Sequence, residues 1–195
     1  MQRRHFLPSM AALAAMATLT ACSREADAPA AAAPIDRSQA LQVLAAEGKG
    51  FTVGAMMAAN TVYVMFDPQC PHCAALWEAS QPLLRQARFV WLPVALLNAK
   101  SLPQGAALLA AANPAESMSA HEKSLNAGQG GISASANIPD EIKAAIEHNT
   151  ALLTRLGGES VPFIVARDPQ GAGARTVAGS MPTAQLASFI GLSGQ

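Results

Sequence analysis

The clearest pattern in the chain is the run Thr61 to Phe66, which reads Thr-Val-Tyr-Val-Met-Phe and is almost wholly apolar, β-branched or aromatic. A run of this kind predicts a strand covered on both faces. Arg88 to Leu96 and Val161 to Ala166 repeat it as a second and a third buried strand. Phe51 to Val53 is a short strand candidate, and Arg175 to Ala178 is a fourth main strand after a turn around Asp168-Pro169-Gln170-Gly171. Helical spacing appears from Asp36 to Glu47, with Leu41 and Leu44 on one face and Gly48 as a stop. A second helix is predicted from Pro71 to about Arg85. Proline suits its first position, where no N–H is needed, and Pro82 should kink or end it. Further helices are expected at Ala106 to Ala112, after Pro114, from Asp140 to Leu156 and from Pro182 to Leu192, with a Gly/Ser/Ala loop at Gly128 to Ala136. The order predicts an α/β fold: a βαβ unit, a helical insertion over about 101–156, and a ββα unit. Its mixed sheet would be covered by helices on both faces.

Composition changes this picture little. With 195 residues there is room for one well-buried domain. Thirteen basic and thirteen acidic residues give a net charge of zero, so no electrostatic footprint for nucleic acid is present. The N-terminus changes it more. Arg3 and Arg4 precede an apolar stretch, Met10 to Leu19, which is about half of the roughly 20 residues that span a bilayer. That is the form of an export signal over residues 1–21, and Arg3-Arg4-His5-Phe6-Leu7 also resembles a twin-arginine signal. The stretch ends in Leu19-Thr20-Ala21-Cys22, which resembles a bacterial lipobox with Cys22 as the acylated first residue of the mature chain. Simple cleavage, leaving Cys22 as a free thiol, is the alternative. Residues 22–34 then read as an Ala/Pro tether, 35–49 as a linker helix and 50–195 as the catalytic domain.

Export places the chain where disulfides persist and exchange. Of three cysteines, lipidation would remove one, leaving Cys70 and Cys73 in Cys70-Pro71-His72-Cys73. A crosslink three residues apart closes so short a loop that it stabilises little; it suits opening and closing. At a helix start, unpaired N–H groups and the positive dipole end favour an anion on Cys70, with His72 adding an imidazole. Cys70 is thus the expected attacking thiolate and Cys73 the resolving thiol. A zinc half-site is the competing reading, but His121 and His148 fall on helices of surface type and supply no evident second pair of ligands. Residue 74 is Ala, so the haem-attachment pattern fails. A copper site drawing on Met56, Met57, Met65 and Met181 competes too; those residues read more simply as core fillers. No metal and no cofactor beyond the dithiol is expected.

The segment from Val62 to Cys73, continuing to Trp77, resembles the active-site segment of the DsbG/DsbC family of periplasmic thiol-disulfide proteins, which have a thioredoxin-like fold. The likeness runs from about Gly50 to the C-terminus and takes in the insertion, Asn149 to Gly157, and Val177 to Pro182. The resemblance implies that Val161-Pro162 is a cis-proline dipeptide facing the cysteines, where the backbone of Val161 pairs with an extended substrate. It also implies cysteine-bearing exported proteins as partners, together with a membrane or periplasmic redox partner. Three departures accompany it. The family's N-terminal dimerisation domain has no counterpart ahead of the linker-like helix, which points to a monomer. The Pro71-His72 pair and Val161 are both similar to the DsbA oxidases, where the DsbG branch has Pro-Tyr and Thr. The expectation is an oxidase-leaning, lipid-anchored periplasmic oxidoreductase, with a reductase or isomerase of oxidised cysteines, or a dithiol metal carrier, as alternatives. Metabolic labelling with a fatty acid should mark the chain in its host, and Cys22→Ser should abolish the label; labelling that survives the substitution would contradict the lipobox reading.

Overall fold

Strands form where the chain is apolar and β-branched: β1 (Phe51–Gly54), β2 (Thr61–Phe66), β3 (Arg88–Pro93), β4 (Phe163–Arg167) and β5 (Ala174–Ala178). The computed structural model describes residues 33–171 and 173–192; the expected export segment, Cys22 and nearly all of the tether lie outside them. The strands make one mixed sheet in the order β1-β3-β2-β4-β5. Only β2 and β3 are parallel, with Val64 opposite Trp91, and the other neighbours are antiparallel. The parallel pair is joined by α2 (Pro71–Ser80), which completes the βαβ unit. A hairpin joins β4 to β5, and α6 (Thr183–Phe189) follows. The three elements of the insertion, α3 (Ser101–Ala110), α4 (Pro114–Asn126) and α5 (Asp140–Arg155), stand between the two units. Ahead of the sheet lies α1 (Ala40–Glu47), entered through a 3₁₀ turn (Arg37–Gln39) whose Ser38 amide donates to the Asp36 side chain.

Alternate positions of the strands serve opposite faces. On the α2 side, four aromatic rings meet edge to face in series: Phe51 with Phe66, Phe66 with Trp91, and Trp91 with Trp77 of α2, at centroid distances of 6.1, 5.6 and 5.1 Å. Such contacts add about 0.5–1.5 kcal/mol each beyond simple burial, so the string locks α2 onto the sheet. Against the opposite face lie α1 and α5. There Asn149, fully buried on α5, accepts from the Lys49 amide and donates to the carbonyls of Lys49 and Pro93. The insertion runs as an arc, with α3 on α5 and α4 on α2.

Two strands are shorter at one end than the sequence pattern predicts. β3 stops at Pro93; the Val94 amide still bonds to the Phe66 carbonyl of β2 at 2.9 Å, and the amides of Ala95, Leu96 and Leu97 then bond to the side chains of Thr150 and Asp67 instead of a ladder. β4 begins at Phe163, because Pro162 has no N–H to pair. As expected, Pro82 ends α2, and the freed Trp77 carbonyl accepts from Ser80 Oγ and Gln81 Nε2. Conversely α3 starts at Ser101, five residues before the expected Ala106, with Pro103 tolerated in its first turn. Met56 and Met57 are corrected outright. They are exposed in the turn after β1, 61% and 96% accessible, whereas Met65 is the core filler predicted. Asn149→Ala should lower the unfolding free energy by about 2–4 kcal/mol, because the Pro93 and Lys49 groups lose their partners. A urea titration would show this as a lower midpoint at unchanged slope.

Candidate active site

The site is built where β2 ends. Asp67 is fully buried there, and its carboxylate accepts three backbone N–H bonds: Gln69 at 2.8 Å through Oδ1, and Leu96 and Leu97 at 2.7 and 2.9 Å through Oδ2. The exits of β2 and β3 are thereby fastened to one another. The Asp67 carbonyl accepts from the Cys70 amide at 3.0 Å, closing the turn that delivers Cys70 to the start of α2. Cys70 is the N-cap residue of that helix, with extended backbone (φ −97°, ψ 113°), and Pro71 occupies its first turn. The Cys70 carbonyl accepts from the amides of Cys73 and Ala74 at 3.0 and 3.3 Å.

The two sulfurs have unlike surroundings. Cys70 is 4% exposed and Cys73 fully buried, and both are free thiols. As a thiol, Cys70 donates to the Val161 carbonyl at 3.5 Å. The Val161–Pro162 peptide bond is cis, so the dipeptide singled out in the sequence does lie against Cys70. Ionised, Cys70 accepts a hydrogen bond from the Cys73 thiol, and this contact does most to bring it down to about 6; burial opposes it, while the amides of Cys73 and His72 and then the His72 charge assist. Cys73 moves the other way, well above its ordinary value, because of burial first and then because it donates to Cys70 and faces its negative charge. His72 is exposed on the surface, which accounts for its standing last among these influences. Cys70, Pro71, His72 and Val161 open onto a groove of about 570 Å³, whose far lip is the exposed pair Leu96 and Leu97.

Three residues that the sequence did not offer for this site lie beneath it. Asp67 is one. His121, read from the sequence as a surface-helix residue, is fully buried. The inner face of α4 docks under the active-site turn, where His121 Nε2–H donates to the Pro68 carbonyl at 2.6 Å and Nδ1 accepts from the Ile132 amide at 3.2 Å. Since an amide can only donate, this fixes a neutral tautomer, and burial lowers the imidazole's proton affinity accordingly. Gly131 passes directly over the ring with φ +87°, where a Cβ would collide with His121 Cε1. Glu122, next along α4, is 2% exposed, and neither of its oxygens has a hydrogen-bond partner. His148, by contrast, lies at the surface beside Glu47, as the sequence suggests. Among the described residues no set of three His, Cys, Asp or Glu side chains converges as metal donors.

A family model described as Thioredoxin matches residues 46–179. The thiol:disulfide interchange protein DsbG of Pseudomonas aeruginosa is 26% identical over 136 residues, which cover 69% of this chain and 52% of that protein. Its counterpart from Escherichia coli is 30% identical over 105 residues, covering 53% and 42%. The chain thus spans about half the length of the curated relatives it matches. The catalytic domain of Proteus mirabilis ScsC superposes with a TM-score of 0.63 at 17% identity, over 80% of this chain and 97% of that one. The thiol-disulfide exchange protein alpha-DsbA2 of Wolbachia pipientis gives 0.62 at 16% identity, over 80% and 94%. These structural likenesses establish a thioredoxin-like fold for the chain. The thiolate absorbance of the reduced protein should titrate with a midpoint near 6, and Cys73→Ala should raise that midpoint by removing the largest stabilising contact. Because the folded thiol ionises below its ordinary value of 9.0, the reduced form should lose stability as pH falls from 9 through 6. A stability flat across that window would contradict the thiolate.

Proposed function

The chain belongs to the thioredoxin family, and from that premise we propose that it is an exported thiol-disulfide oxidoreductase whose working centre is Cys70–Cys73. The observation that carries the proposal is the inequality of the two thiols: Cys70 is readily ionised at the groove, and Cys73 is held protonated below it. A disulfide between them is attacked at Cys70 by a substrate thiolate, and Cys73 leaves with the electron pair and takes up a proton. A second substrate thiolate then attacks the substrate sulfur of the mixed disulfide and expels Cys70 as a stable thiolate. Two substrate thiols become one disulfide, and the protein is left as the dithiol. No cofactor is needed, because the cysteine pair itself carries the two electrons.

A thiolate that is stable at neutral pH is a good leaving group and makes the disulfide oxidising, so the reading favours donation of disulfides. Val161 is assigned to substrate docking: its carbonyl already meets Cys70, and an extended substrate would run along the groove beside it. Pro71 and His72 tune the thiolate, the latter weakly from its exposed position. Reduction of oxidised cysteines is the second reading, favoured by the sequence likeness to the DsbG proteins. A dithiol metal carrier has less support, since the partner thiol Cys73 resists ionisation and thiolate is the metal-binding form. The sequence reading places the protein in the periplasm as a monomer held to a membrane through Cys22; no helix among the described residues is long and apolar enough to cross one.

Expressed in the host and quenched with acid, the Cys73→Ser protein should accumulate mixed disulfides with envelope proteins, while Cys70→Ser should form none. Absence of adducts on Cys73→Ser would overturn the exchange reading.

A further inference from the structure

The His121 imidazole is fully buried between two pieces of backbone that belong to different parts of the active-site floor. Its Nε2–H donates to the Pro68 carbonyl at 2.6 Å, and its Nδ1 accepts from the Ile132 amide at 3.2 Å. Pro68 lies two residues before Cys70, in the turn that delivers the attacking sulfur. Ile132 belongs to the glycine-rich loop that follows α4, and this loop reaches the site a second time. The Gly130 carbonyl accepts from Gln69 Nε2 at 3.1 Å and from Gln104 Nε2 at 2.8 Å. Gln69 Oε1 in turn accepts from Asn98 Nδ2 at 3.3 Å, beside the groove lip at Leu97. Loop, turn and lip are thus strung on one set of hydrogen bonds, and His121 is the one link in it whose charge can change between about pH 5 and 8.

We propose that His121 is a positioning residue for the Cys70 turn, and that acid, by protonating its ring, unlatches the glycine-rich loop and slackens that turn. The consequence for exchange rests on the oxidoreductase reading. Nε2 already carries a proton, so one arriving from water binds at Nδ1. An N–H there faces the Ile132 N–H, two donors with no acceptor between them, and a positive charge is enclosed. The cation is accommodated only when Ile132 withdraws and water takes its place. Gly131, which crosses the ring too closely to allow a side chain, must move with it, and the Gly130 hold on Gln69 goes too. Room for this exists, because residues 129–134 border a solvent-open cleft of about 320 Å³ with Lys100 and Gln104 across it.

Burial holds the ring below the ordinary imidazole value of 6.5, against the Pro68 hydrogen bond and the Asp67 charge, which both favour the cation. Asp67 faces the ring from the end of β2. Cys70, His72, Cys73 and Glu78 belong to the α2 side, Glu116, Glu122 and Lys123 to α4 itself, and Lys100 stands at the head of α3. The body of α3, β1 and the loop carry no ionisable side chain. Since the closed ring binds a proton more weakly than an open one, the latch is at full strength above 6.5. It weakens as pH falls below that value, by up to about tenfold per unit.

The oxidised full-length protein provides the test, because neither cysteine titrates in it. Hydrogen exchange of residues 128–136, corrected for the intrinsic rate, should show constant protection above pH 6.5 and a decline below it approaching about tenfold per unit. Nitrogen spectra should show His121 Nδ1 unprotonated at neutral pH and gaining its proton over the same range. His121→Gln keeps a donor for the Pro68 carbonyl and cannot titrate, so loop protection should become independent of pH. Reduction of the disulfide by dithiothreitol, expressed per reagent thiolate, should bend below pH 6.5 in the wild type, and that bend should be absent from His121→Gln. Wild-type loop protection that keeps its neutral value until the whole chain unfolds overturns the proposal, and so does an equal decline in His121→Gln. Identical reduction profiles in the two proteins overturn the positioning role. A disulfide that dithiothreitol reduces at no pH overturns instead the oxidoreductase reading, while loop protection still decides the latch.

Discussion

A buried carboxylate with three backbone amides around it, that of Asp67, holds the working end of this molecule together. Its bonds to Gln69, Leu96 and Leu97 tie the exits of the two central parallel strands to each other. Hydrogen bonds to a charged group contribute about 1.5–3 kcal/mol each, and here they carry the tie between the strands past the last ladder bond, from the Val94 amide to the Phe66 carbonyl. Everything at the groove is referred to this anchor. The turn it closes sets Cys70 at the start of α2, and the loop it restrains forms the opposite lip at Leu96 and Leu97. The aromatic string from Phe51 to Trp77 then fixes α2 against the sheet, so that the helix end cannot drift from the cis Val161–Pro162 pair carried by β4.

From that fixed frame the chemistry follows through burial. Cys70 lies at the rim, within reach of Val161, and Cys73 lies one turn down among apolar side chains. Each sulfur affects the other in opposite senses: the Cys73 hydrogen bond favours the Cys70 anion, and the Cys70 anion disfavours ionisation of Cys73. The helix-end amides assist but are not the largest influence. The insertion takes part as well. It sends His121 beneath Pro68, Gln104 and the Gly130 carbonyl to the Gln69 side chain, and Glu122 into the seam between α4 and α2. A helical excursion that looks like an ornament in the sequence is therefore the floor of the site.

How much of this was legible in the sequence follows from which residues advertise themselves. The six residues of β2 were read to their exact ends, because a fully covered strand leaves an unbroken apolar run. Pro71 and Pro82 marked the two ends of α2, since proline's missing N–H has a fixed positional meaning. The Cys70–Cys73 pair and Val161-Pro162 were legible through spacing and resemblance. The floor was not. His121 and Glu122 sit in Pro-Ala-Glu-Ser-Met-Ser-Ala-His-Glu-Lys, a stretch polar enough to pass for a solvated helix, and glutamate is seldom fully buried. Only the docking of α4 under α2, a contact between elements some forty residues apart, turns those side chains inward. Met56 and Met57 erred in the opposite direction: their apolar character suggested core, but a turn after β1 leaves them in solvent.

The account stands on one energetic statement, that the protein stabilises the Cys70 thiolate and so makes the Cys70–Cys73 disulfide a willing acceptor of electrons. Equilibration of the full-length protein with glutathione buffers, read by the change in tryptophan fluorescence beside the pair, gives its reduction potential directly. The account predicts a value well above about −270 mV, the potential of thioredoxin, toward the strongly oxidising end near −120 mV. A potential at or below about −270 mV would contradict it.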